Sequence, residues 1–71
     1  RESMNKFAWD NLGELYFSED DFFEAKKCFE NAIDIDGNYA NALYNLSLIY
    51  SLSFIVYNLL STQPNQNNLL L

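Results

Sequence analysis

Hydrophobic positions along the chain fall into two helical stripes followed by one long run. Ala8, Trp9, Leu12, Leu15 and Tyr16 recur at steps of three and four, the spacing of one helix face. Ser18-Glu19-Asp20-Asp21 interrupts them with turn and cap residues. Phe22, Ala25, Phe29, Ala32 and Ile33 then form a second stripe. Asp21 stands where an N-cap belongs, and Glu24 follows three residues on, as a capping box prefers. Ser3 is the expected cap of the first helix, with Lys6 where Glu would complete its box. Gly37 offers a positive-φ stop to the second helix. A third helix is expected from Tyr39 to about Leu60, with no stop signal inside it. No alternation of period two persists, so the predicted class is all-α, with helices at about 4–18, 22–36 and 39–60 in one unit spanning 1–60. Ser61 to Asn68 is polar and turn-prone, and residues 61–71 are expected to form a disordered tail.

The chain repeats itself at an offset of 34 residues. Ala8, Asn11, Leu12 and Tyr16 align with Ala42, Asn45, Leu46 and Tyr50, all identical. Trp9 meets Leu43, Leu15 meets Ile49, and Gly13 meets Ser47. Two helices in a 34-residue period, with Trp9-x-x-Leu12-Gly13-x-x-Tyr16, Ala25-x-x-x-Phe29 and Ala32 in order, resemble the tetratricopeptide (TPR) repeat. The resemblance covers one repeat from about Lys6 to Tyr39, then the first helix of a second. It implies an antiparallel helix–turn–helix unit with a third packing helix, a fragment of an α-solenoid. Gly13 and Ala25 would be small where the helices cross, while Trp9, Leu12 and Tyr16 face the partner helix. Asp20 takes the turn position usually held by Gly, which Asp tolerates because it visits the left-handed region. Gly37 replaces the usual Pro between repeats. The echo fails beyond about Leu52, where Phe54 and Ile55 fall opposite Asp20 and Asp21. The second repeat therefore lacks its second helix or has a divergent one.

Charge sharpens this picture. Four basic and ten acidic residues give a net −6, and every charge lies between Arg1 and Asp36. So acidic a chain is a poor partner for nucleic acid, whose phosphates demand Lys and Arg. From Ala40 to Leu60 no residue is charged, and that length suffices to cross a bilayer. Six polar residues within it, no Lys or Arg at either end, and the soluble-repeat match of its first half argue for a packed helix instead. The apolar residues beyond Leu52 then have nothing to cover them, which favours a homodimer through the third helix or a missing partner helix. The start Arg1-Glu2-Ser3, with no initiator Met and no signal-peptide pattern, reads as part of a longer chain in the cytoplasm.

Chemistry is sparse. With no histidine and a single cysteine, His-based and Cys-rich metal sites are excluded, as is an internal disulfide. Asp34-Ile35-Asp36-Gly37-Asn38 fails as a calcium loop, because Ala32 and Leu43 occupy two required ligand positions. Glu19-Asp20-Asp21 reads as cap chemistry, Asn45-Leu46-Ser47 as a chance glycosylation pattern on a helix, and Cys28 as a structural thiol. The aromatics are expected mostly in the core. No nucleophile is paired with a base, so neither an enzyme nor a cofactor is expected. The TPR resemblance implies instead a protein-binding groove on the first and third helices. Its candidate residues are Phe7, Asp10, Asn11, Glu14 and Phe17, with Asn41, Tyr44, Asn45, Leu48 and Ser51 opposite. Acids without a base in this groove disfavour an acidic C-terminal ligand and favour a neutral or basic one with an apolar anchor. A membrane-tethered piece and a purely structural spacer are the alternatives.

Overall fold

Three helices follow one another in a computed structural model that describes residues 4–62: α1 (Lys6–Ser18), α2 (Phe22–Ile35) and α3 (Ala40–Thr62). No strand occurs among the described residues, and the all-α expectation holds. The connections are too short for anything but antiparallel neighbours.

Helix α1 starts two residues later than expected. Its N-cap is Asn5 rather than Ser3; the Asn5 side chain accepts a hydrogen bond from the Ala8 N–H at 2.8 Å. At its other end the backbone makes a left-handed cap. The Asp20 N–H donates to the Phe17 carbonyl at 3.0 Å and the Asp21 N–H to that of Tyr16 at 2.9 Å, while Asp20 itself sits at φ 64°. This is the Schellman arrangement, with Asp where glycine is usual. An L-residue in this region carries a steric penalty. Asp20→Gly should therefore raise stability by about 0.5–1 kcal/mol in a urea or thermal melt, the relief outweighing the freer unfolded chain.

Asp21 caps α2 as the sequence suggests, accepting from the Glu24 N–H at 3.3 Å. The far end differs from expectation. Gly37 does not take positive φ; no described glycine does. Asp36 ends the helix instead. Its backbone is extended, at φ −143° and ψ 101°, and its side chain accepts from the Asn38 N–H at 3.0 Å. Its carbonyl accepts from the Tyr39 N–H, which closes a tight turn into α3. An aspartate that bonds its own turn makes a left-handed glycine unnecessary.

The core lies between α2 and its two neighbours. Ala25, Phe29, Ala32, Ala42 and Ile49 are buried, with Trp9, Tyr16, Phe17, Ile33, Tyr39 and Leu46 packed around them. Phe29 is fully enclosed. Its ring lies so close to Gly13 that a β-carbon there would stand 2.5 Å from it, which is why the crossing needs glycine. Leu15 was expected inside and is 53% exposed. Phe7, Phe22, Phe23, Tyr44 and Tyr50 are also exposed, so only part of the aromatic set is core. Cys28 is buried, and desolvation pushes its thiol pKa up, which keeps it protonated.

Helix α3 leans chiefly on α2. At residues 54–55, where the repeat echo calls for a turn, it runs straight on to Thr62. It ends two residues beyond the expected boundary, and the rest of the expected polar tail lies outside the described residues.

Candidate partner-binding groove

Helices α1 and α3 flank a shallow face on which the expected groove residues divide into three groups. Asp10, Glu14 and Asn45 come together. The Asn45 amide donates to Asp10 Oδ1 at 3.1 Å and to Glu14 Oε2 at 3.4 Å, tying α3 to α1. Asp10 is only 2% exposed, so it forms the floor beneath the surface rather than part of the surface itself. Its other oxygen accepts from the Tyr39 hydroxyl at 3.3 Å. A buried carboxylate survives only with such donors around it.

A second group is open to solvent. Phe7, Asn11, Asn41, Tyr44 and Ser51 are exposed, as is Glu14 of the first group. Phe7 meets the edge of Tyr39 with ring centroids 5.6 Å apart and planes at 84°. Leu48 is half-buried. Phe17 stands apart from the rest. Its ring packs on Phe22 at 5.1 Å, toward the α1–α2 turn.

Two residues that the periodicity did not single out shape the end of the groove. Lys6 pairs with Asp36, and its ammonium lies 5.2 Å from the Phe7 ring centre and 5.1 Å from that of Tyr39. The hydrogen bond from Lys6 holds the Asp36 carboxyl below the usual carboxylate range, helped by the Asn38 N–H. Tyr39 is thus shared by the aromatic contact, the cation and the Asp10 bond. Its position in the inter-repeat turn, between two helical stripes, carries no periodic signal.

Among the described residues no cluster of three side chains could hold a metal ion. The arrangement presents hydrogen-bonding amides, the exposed Glu14 carboxylate, the Lys6–Asp36 pair and aromatic faces.

Comparison with known proteins bears on the repeat itself. The model of the tetratricopeptide repeat family matches residues 6–39, which contain α1, α2 and the turn into α3. A 39-residue stretch is 49% identical to the uncharacterized protein ycf37 of Porphyra purpurea, covering 55% of this chain and 22% of that protein. The chain therefore matches about a fifth of that relative's length. No solved structure gives a significant match. Residues 6–39 of this chain are a tetratricopeptide repeat, and α3 is a further helix packed against it.

Proposed function

We propose that the chain is a non-catalytic binding module that holds a peptide or partner helix in the groove between α1 and α3. Tetratricopeptide repeats generally mediate protein–protein interaction. The observation that supports the groove here is the Asn45 amide shared between Asp10 and Glu14. It fixes the spacing of α1 and α3 and leaves Phe7, Asn11 and Tyr44 exposed on the rim. A preorganised polar floor with aromatic anchors lowers the ordering cost of binding. At the end of the α1–α3 face Lys6 and Asp36 offset each other as an ion pair, which leaves the exposed Glu14 as the unbalanced charge among the described groove residues, so the ligand is neutral or basic with an apolar anchor. A cytoplasmic location goes with this reading.

The test uses two fluorescein-labelled decapeptides, one alternating Lys and Leu, the other Glu and Leu, followed by anisotropy. The basic peptide should bind the more tightly, and added salt should weaken it. Glu14→Lys should cost about tenfold in affinity, and Tyr44→Ala a similar factor. Equal binding of both peptides, or indifference to both substitutions, would refute the groove.

A bilayer-inserted α3 has one observation in its favour. The stretch Ala40–Ser61 has a mean hydropathy of 1.4 and is long enough to cross a membrane. Its first half, however, carries Ala42 and Ile49 into the repeat's core. The ten described residues beyond Leu52 span about 15 Å, half of a hydrocarbon core of roughly 30 Å.

A further inference from the structure

One face of α3 outruns its partner. Ala42, Leu46 and Ile49 pack on α2, and Ser53, Val56 and Leu60 continue the same stripe beyond the start of α2 at Phe22. The steps are four, three, four, three and four, the 3.5-residue spacing of a seam between helices. Past Phe22 this seam has no helix opposite it among the described residues. It becomes an open groove of about 420 Å³, lined by Phe22, Ile49, Leu52, Val56, Tyr57 and Leu60 besides Ser53.

We propose that this groove is filled by α3 of a second copy of the chain, running antiparallel about a two-fold axis beside Val56. Four features support that occupant over others. The first is direction. Helix α2 runs antiparallel to α3, so an antiparallel α3 from a second copy continues the track of α2. Its C-terminal end then meets the N-terminus of α2, and the two helix dipoles align head to tail. The second is shape. With the axis just after Val56, Ser53 comes opposite the second copy's Leu60, small against large, and each seam supplies the other's holes. A two-fold interface requires this self-complementarity.

The third is area. Phe22, Leu52, Val56, Tyr57 and Leu60 are 37–69% exposed. At aromatic and aliphatic side-chain sizes that leaves on the order of 500 Å² per copy, or about 1,000 Å² for a pair, the threshold a specific interface must reach. The fourth is the back of the helix. Ser47, Ser51, Asn58 and Ser61 share the opposite side and are exposed, interrupted by Phe54 and Ile55. A dimer leaves that polar stripe in water, whereas a bilayer around the helix would strip it of water. The seam also lies on the α2 side of α3, away from Asp10 and Glu14, so the dimer and the peptide groove stand or fall separately.

The experiment is sedimentation of the 71-residue chain in detergent-free buffer across a fiftyfold concentration range, with circular-dichroism melts at both ends. A monomer–dimer equilibrium should appear, and the melting midpoint should rise with concentration. Val56→Lys should weaken dimerisation by about 30-fold or more while the helical signal of the repeat persists. Val56→Cys, oxidised, should give a disulfide-linked dimer through residue 56, since Cys28 is buried and Val56 is not. A monomer at the highest concentration overturns the proposal. So does a dimer that Val56→Lys leaves intact, which would place the contact elsewhere. Transfer of the chain into phosphatidylcholine vesicles with loss of the sedimenting dimer would overturn it in favour of a bilayer.

Discussion

Phe29→Ala should abolish the cooperative melt. Phe29 is fully buried and stands where α2 crosses α1 beside Gly13. Truncating an enclosed Phe to Ala costs about 3–5 kcal/mol, the sum of lost transfer energy and the cavity left behind. A chain of 71 residues has only about 4–11 kcal/mol of stability in total. The loss therefore removes about a quarter of that stability at the least and all of it at the low end, where a single repeat belongs. Phe29→Leu keeps much of the volume and should melt cooperatively at a lower midpoint. Urea titration followed by the fluorescence of Trp9, which packs against the same cluster, reads both variants. A Phe29→Ala chain that unfolds cooperatively within 1 kcal/mol of the parent would show that the core lies elsewhere.

The second large effect concerns the residue facing that ring. A β-carbon at Gly13 would lie 2.5, 2.8 and 2.9 Å from three atoms of Phe29. No real contact is that short, and the ring is rigid and enclosed, so the helices must separate. Gly13→Ala gains roughly 1 kcal/mol of helix propensity in mid-helix. Overpacking costs about 1–3 kcal/mol and should exceed it. Gly13→Val adds two more carbons and should leave no cooperative transition. The cause can be isolated by a double-mutant cycle. In a Phe29→Leu background the opposing side chain is smaller and flexible, and Gly13→Ala should become neutral or stabilising. A coupling energy of about 1–3 kcal/mol is expected. Additive effects would mean that Gly13 is there for some reason other than this close approach.

These two positions were legible in the sequence because their constraint is local to one helix pair and repeats a known spacing. Gly13, Ala25, Phe29 and Ala32 fill the expected slots, and Asp20 takes the left-handed turn inferred for it. The cap at Asp21 depends on side chains three residues apart, which a sequence displays directly. What was not legible depends on a third body. Leu15 and Asp10 lie on the same helix, and its apolar pattern suggests the first inside and the second outside. The structure places them the other way because α3 approaches α1 through Asn45 and closes over Asp10. The choice of Asn5 over Ser3, and of Asp36 over Gly37, has a different cause. Both members of each pair can end a helix, and their relative merits turn on tertiary ties such as Lys6 to Asp36. The groove residues follow from the family resemblance alone. Which of them form floor and which form rim required the third helix to be in place, and Tyr39, which links them, has no counterpart in the periodic pattern.

The unbroken run of α3 from Ala40 to Thr62 has one more consequence. A continuous helix turns about 100° per residue, so it fixes the angular phase between its two ends. One residue deleted near Ser51 would leave Ala42 and Ile49 seated on α2, yet would swing Val56 and Leu60 about a quarter-turn around the axis and bring the serine–asparagine side toward the groove. Removing seven residues would restore the phase to within about 20° and merely shorten the reach. Length variation in this segment is thus quantised: natural relatives that keep the apolar end on the α2 side should differ here by whole pairs of turns, not by single residues.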